Sequence, residues 1–320
     1  MLAIRGPWDD LLERSQCNRA FSSCTWQMAS MESHETRPHT VVAISDGRLR
    51  ALLPLRINTE GALVAGSPLA DYNDIVAASG DSEACGALLR FLAESGVEVS
   101  LKRVRSDSNC MSATGALDLP ARTAFSPQGV YSFIDLRSGY AAYLASRSGK
   151  FRRGLARARR NADRDGLCVR DLSPSDLDPD SLPDLFLSLH LDRLGERSVF
   201  APGSENDRFV RLAFPRLFRE GRMRVFAIYR GAECLAIDVA MAGWQTICLW
   251  NGGYRACAAP WSPGTLLLDL ELRTLEAQGY SELDLSRGDQ AWKKRWASST
   301  RPVGLFEMAA AEKLRHVATN

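Results

Sequence analysis

Four consecutive stretches decide how this chain folds: VFAIYRGAECLAIDVAMAG (225–243), QTICLWNGG (245–253), SPGTLLLDLELRTLEAQG (262–279) and YSELDLSRGDQAWKKRW (280–296). Residues 224–229 and 235–241 are rich in β-branched and aromatic side chains, and the segment Arg230, Gly231, Ala232, Glu233 separates them as a turn would, which predicts a hairpin. Residues 245–250 supply a third run, closed by the breaker pair Gly252 and Gly253, so an antiparallel meander is expected. Residues 254–261 read as a loop.

Ser262, Pro263 and Gly264 then open a helix, with Ser at the cap and Pro where its missing N–H costs nothing. Leu266, Leu267, Leu270 and Leu275 recur at helical spacing until Gly279, which predicts a helix over 264–278. Its start has two readings: ordinary capping, or a cluster of free N–H groups at the positive end of the helix dipole, suited to pyrophosphate. Residues 280–285 read as a strand. At its carboxyl end gather Asp284, Ser286, Arg287, Gly288 and Asp289, followed by Trp292, Lys293, Lys294, Arg295 and Trp296. Ligands in α/β sheets favour such strand ends; a solvated turn and a basic helix face are the alternative.

The same order recurs earlier. Val41 to Ile44 with Gly47 lies 184 residues before Val225 to Ile228 with Gly231. A helix over 83–95, a stop at Gly96 and a strand over 97–104 follow, which suggests two copies of one unit. The length of 320 residues fits two such units, and the division expected is 1–130 and 131–320. The polar loop Gly66 to Asp74, after a strand ending in Val64, reads as a turn by composition.

The net charge of +2 excludes the chain as a whole from strong polyanion binding. Locally, Lys150, Arg152, Arg153, Arg157, Arg159, Arg160 and Arg164 crowd one segment. Phe151, Leu155, Ala158 and Ala162 run through it at helical spacing, so an amphipathic helix with a solvated basic face is the simpler reading, and a phosphate-binding surface the other. The eight cysteines show no C-x-x-C spacing, so no zinc or other metal site is expected, and reduced thiols are the default. No G-x-S-x-G elbow, phosphate-binding G-x-x-x-x-G-K-[ST] loop or H-E-x-x-H helix is present. The first residues lack the apolar core of a signal peptide and no run is long enough to span a bilayer, so a cytoplasmic location is expected. Four histidines are available: His34 and His39 lie in a polar stretch, His316 in the tail, and His190 alone in a patterned helix. His190 is therefore a candidate general base, or a helix histidine packed at the core edge. Asp238, a carboxylate within an apolar strand, is its rival.

The succession of three strands, a capped helix, a strand and a basic aromatic segment resembles the acyl-CoA N-acyltransferase (GNAT) superfamily, and within it the CelD-like or BcsL-like acetyltransferases. The residues that carry the resemblance are Ser262, Pro263 and Gly264, then Asp284, Gly288 and Lys293 in the pattern D-x-x-x-G-x-x-x-x-K. Residues 189–194 look like the family's histidine-bearing helix and residues 150–160 like its basic helix. In place of the stricter glycine-rich loop R/Q-x-x-G-x-G/A stands Ala258 to Gly264. The resemblance implies an α/β (α+β) chain of two tandem GNAT-like units with mixed, largely antiparallel sheets. It implies acyl transfer from acetyl-CoA or another acyl-CoA to an amine or hydroxyl of a small metabolite or sugar, and the family's name suggests exopolysaccharide. Donor binding would fall to Ser262, Pro263, Gly264, Thr265, Arg287 and Gly288. Lys293 would supply positive charge to a phosphate or oxyanion, and His190, Asp238 or water would accept the proton. Acceptor recognition would fall to Asp71, Tyr72, Asp74 and Asp284. Fem peptidyltransferases share the fold in duplicate, tolerate the degenerate loop and take aminoacyl-tRNA as donor; an aromatic-lysine pair like Trp292 and Lys293 is functional there. A third possibility is a catalytically inactive module with the transferase fold.

Overall fold

A computed structural model describes residues 4–15, 20–57, 63–116, 123–243 and 246–308; Cys17, Gln245 and His316 lie outside them. The elements in chain order are α1 (Arg5–Glu13), α2 (Cys24–Ser33), β1 (Arg37–Ser45), β2 (Arg48–Ile57), β3 (Leu63–Ala65), β4 (Val76–Ala77), α3 (Ser82–Glu94), β5 (Val99–Arg105), α4 (Asn109–Ala116), β6 (Thr123–Asp135), α5 (Tyr140–Ser146) and α6 (Gly149–Arg164). There follow β7 (Leu167–Leu172), α7 (Leu182–Leu194), α8 (Glu205–Arg219), β8 (Met223–Arg230), β9 (Glu233–Ala242), β10 (Thr246–Tyr254), α9 (Pro263–Ala277), β11 (Glu282–Arg287), α10 (Ala291–Trp296) and β12 (Ser299–Met308). The fold is mixed α/β with mostly antiparallel sheets. Two compact units emerge: residues 1–131 with 301–320, and residues 132–300.

In the first unit β1 and β2 pair antiparallel through the turn at Asp46 and Gly47, both at positive φ, the twist that a tight hairpin requires. β3 and β4 both pair with β2. Leu88, Leu89 and Leu92 of α3 pack with Leu53, Leu55 and Leu101. The division at 130 placed every later residue with the second unit, but β12 returns. It pairs antiparallel with β5 from Val303↔Arg105 to Met308↔Val99, and Phe306 and Met308 are buried in the first unit's core. Two large apolar side chains on alternate positions of β12 give the reason: they need a core, and this one receives them.

In the second unit the strand order is β11-β10-β9-β8-β7, with the last residues of β6 beside β11. β8, β9 and β10 form the expected meander, while β11 runs parallel to β10. α9 packs on one face, where Leu266 and Leu267 meet Phe226, Ile228 and Ala236, and α5 and α6 lie against it. α7 packs on the other. Alternation of side chains separates the faces, since Gly252 points at Asp238 and Gly253 at the backbone of α7.

Gly252 and Gly253 do not end the third strand; both lie inside β10. Proximity is the physical reason. A Cβ on Gly253 would stand 2.4 Å from His190 N and 2.5 Å from the Leu189 carbonyl oxygen, and one on Gly252 would stand 1.8 Å from the Asp238 carboxylate. The glycines are what lets a helix backbone and a carboxylate reach the strand.

Gly253→Ala is expected to lower stability by about 1–3 kcal/mol, the cost of overpacking a site walled by backbone. Gly154→Ala, where α6 leaves open space, should raise it by roughly 0.5–1 kcal/mol. Urea denaturation of both variants checks the pair.

Candidate active site

β10 and β11 run side by side for three residues only, Thr246, Ile247 and Cys248 opposite Glu282, Leu283 and Asp284. They then part for two reasons. β10 carries an extra residue, Trp250, between Leu249 and Asn251 relative to β9, and a bulge bends the strand that holds it. The Trp250 ring packs against Phe186 of α7, Phe200, and Phe209 and Phe214 of α8, which draws β10 towards that helix pair. β11 in turn ends in a tight reversal with Ser286 at φ 66° and Gly288 at φ 105°. Beyond Cys248 and Asp284 the two strands no longer pair, and a wedge opens between Leu249–Gly252 on one side and residues 285–288 on the other.

The reversal after β11 is held at both ends. Asp284, fully buried, accepts a hydrogen bond from the Ser286 N–H at 2.7 Å. Lys293 donates from Nζ to the Arg287 carbonyl and stands 5.5 Å from the centre of the Trp292 ring. Lys293 is thus no surface lysine: it is 6% exposed. The D-x-x-x-G-x-x-x-x-K pattern is a closed turn in which the ammonium satisfies a strand-end carbonyl, and the half-buried Arg287 lies between its ends.

The start of α9 differs from expectation. A short 3-10 helix, Ala256–Trp261, replaces the loop. Ser262 occupies the cap position in the left-handed region, φ 56°, and its side chain makes no capping bond. Its N–H donates to the Ala259 carbonyl at 3.0 Å, and the Thr265 N–H donates to the Ser262 carbonyl at 2.8 Å. Pro263 has no N–H. Of the expected cradle of Ser262, Gly264 and Thr265, the exposed Gly264 alone keeps its amide outside these bonds, with open space around its Cα.

His190 and Asp238, rivals for the proton, lie on opposite faces of the sheet beside the same two glycines. His190 is 2% exposed. Its Nδ1 is 2.9 Å from Ser198 Oγ, Asn251 also hydrogen-bonds the ring, and Phe186 and Phe200 enclose it. Burial, and then the Arg193 charge, pushes its pKa down to about 4, so at neutral pH the ring is uncharged and joins α7 to β10. Asp238 sits opposite Gly252 on β10 and Phe226 on β8 and keeps part of its surface open. Burial raises its pKa well above the carboxylate range against the opposing pull of Arg193. Arg193 itself donates to the Gly252 carbonyl at 3.1 Å and stacks over Tyr254. A carboxylate whose pKa moves towards neutrality, at the end of a splayed strand pair, can take a proton from an incoming nucleophile.

Two acids that sequence reasoning passed over lie on α9. Asp269, 1% exposed, receives a two-pronged ion pair from Arg159 of α6 at 2.6 and 2.8 Å, with Tyr140 and Arg273 completing its shell. Glu271, fully buried, faces Asp238. Both interrupt a leucine-rich helix, and Glu271 falls on the apolar stripe of Leu267, Leu268, Leu272 and Leu275. That is the one signal by which it was findable.

In the first unit, the loop from Gly66 to Asp74 is buried and strapped. Arg103 donates to the Pro68 and Ala70 carbonyls, each at 2.6 Å. Asp74 accepts from the N–H groups of Ile75, Asn109 and Cys110, capping α4. Tyr72 packs edge-on to Tyr131 and Phe21, and Asp71 is 7% exposed. Composition suggested a plain turn; the interior requirement that buried polar groups be bonded explains the straps.

This geometry has counterparts. Residues 149–294 match the family model of the acetyltransferase (GNAT) domain. Among solved structures, FemX is 12% identical and covers 98% of each chain with a TM-score of 0.70. L-PGS from Bacillus licheniformis is 14% identical over 91% of this chain and 93% of its own, TM-score 0.60. A conserved protein of unknown function from Bacteroides thetaiotaomicron is 12% identical over 97% of both, TM-score 0.64. At these identities they share the fold. No curated protein matches. The matched region thus has a GNAT-type acyltransferase fold. Among the described residues no group of three or more His, Cys, Asp or Glu could hold a metal, and no helix is long and apolar enough to cross a membrane.

Because the folded-state pKa of His190 is depressed, the unfolded chain binds its proton first. Its contribution to stability is complete above about pH 6.5 and is lost as pH falls towards 4. His190→Gln should flatten the stability curve of the protein in that window, read by denaturant unfolding at stepped pH.

Proposed function

We propose that the protein is an acyltransferase that takes an acyl group from CoA and passes it to an amine or hydroxyl of a small metabolite or sugar. The observation that carries this reading is the wedge between β10 and β11. An extended thioester arm bearing amides can lie there as an added strand, beyond the last paired residues Cys248 and Asp284. The exposed Gly264 amide and the positive end of α9 would receive the pyrophosphate, with Arg287 adding charge. As the acceptor nitrogen or oxygen bonds to the thioester carbon, its proton passes to Asp238. The C–S bond breaks, and the thiolate leaves with the electron pair and takes up a proton. Lys293 serves by fixing the turn that carries Arg287 and Gly288. The first unit is read as a diverged copy, since it repeats the order of hairpin, helix and strand. A CoA ester as donor places the activity in the cytoplasm, and the CelD-like resemblance favours a sugar acceptor.

One observation favours aminoacyl transfer from tRNA as the second reading. On α6, Lys150, Arg153, Arg157 and Arg160 recur three or four residues apart, all exposed, and none forms an ion pair among the described residues. Such a stripe suits a phosphate backbone.

Calorimetry with acetyl-CoA and a longer acyl-CoA tests the first reading. Micromolar binding, weakened by Arg287→Ala and Lys293→Ala and retained in Asp238→Asn with turnover reduced about 10²–10⁴-fold, is the expected result. Absence of binding to both esters overturns it. The second reading expects tRNA binding that falls steeply with salt and is lost when the four α6 cations are changed to alanine.

A further inference from the structure

Glu271 is the least explained charged group in the second unit. It is fully buried on the apolar stripe of α9, and neither carboxyl oxygen meets a donor among the described residues. An ionised carboxylate in that position would be left without compensation. The nearby Asp269 shows how the same helix partners a buried carboxylate: it is clasped by Arg159, Arg273 and Tyr140. Glu271 has no such shell. The group that faces it is Asp238 of β9, another acid, and two acids can hydrogen-bond only if one of them carries the proton.

The surroundings decide which. Asp238 is partly open and feels the Arg193 charge from α7. Glu271 is closed off and feels only negative neighbours, Asp238 and, from β7, Asp171, which is itself tied to Arg224 of β8. On α9 and α6, Arg159 and Arg273 are both tied to Asp269. Burial and the Asp238 charge both hold the Glu271 carboxyl far above its ordinary range, and a bond from Glu271 acts in the opposite sense on Asp238. We propose that Glu271 is a neutral carboxylic acid whose O–H donates to the Asp238 carboxylate, making it the positioning residue for the proton acceptor of acyl transfer. The inference rests on the acyltransferase reading for its catalytic half and on the buried pair for its structural half. Glu271 orients Asp238 past Gly252, the position where any side chain would collide with that carboxylate.

The test has two arms. Infrared difference spectroscopy of the full chain at pH 7 should show the C=O stretch of a neutral carboxylic acid that Glu271→Gln removes; its absence from the wild type overturns the proposal. In steady-state transfer with acetyl-CoA, Glu271→Gln, which keeps a neutral donor, should stay within about fivefold of wild type. Glu271→Leu should lower kcat about 10–100-fold at unchanged KM for the donor. Its acid limb should move to higher pH, because Asp238 has lost the bond that stabilised its charge. Equal damage from Gln and Leu, or an acid limb unmoved in Leu, overturns the positioning role. A carboxyl band that behaves as expected in a protein transferring from no CoA ester leaves the acid pair standing and overturns the acyltransferase reading alone.

Discussion

Helix α9 carries two carboxyls into a nearly dry interior, and much of the second unit is arranged around them. A buried charge is tolerated when it is paired and hydrogen-bonded and is otherwise neutralised. Asp269 takes the first course. The pair with Arg159 fixes α6 against α9, and Tyr140 brings α5 to the same point, with Glu276 accepting the Tyr140 N–H at 2.9 Å. Glu271 takes the second course, and the group it faces is the half-buried carboxylate beside the strand splay. The helix that covers the sheet therefore also sets the charge state at its working end.

On the opposite face the constraint is steric. α7 approaches β10 so closely that its backbone occupies the space of a side chain, and His190, neutral between Ser198 and Asn251, closes the contact. With the Trp250 bulge and its aromatic surroundings, this pulls β10 away from β11. The wedge is a consequence of this packing.

Much of this was legible in the sequence. The meander, the α9 helix and the strand after it followed from periodicity, because alternation and 3.6-residue spacing are local signals. Other features were not. Gly252 and Gly253 read as breakers, since a glycine required by a neighbour's approach looks the same as one that ends a strand. Arg159 was counted with a solvated basic face, although its position relative to Lys150 and Arg157 turns it towards Asp269. Glu271 and Asp269 passed as ordinary charges of an amphipathic helix, because burial of a charge is decided by partners distant in sequence. The parallel pairing of β10 with β11 depends on where α9 packs, and no local pattern encodes it.

β12 completes the first unit with Val303, Phe306 and Met308, although the rest of that unit ends at residue 131. During synthesis the first unit thus waits, with β5 lacking its neighbour and part of its core open, while some 170 residues of the second emerge. The second unit, continuous in sequence, can close as soon as it is made. The order of birth of the two halves is the reverse of their order of completion, and the unit begun first is the one exposed longest to chaperones and to unwanted strand partners.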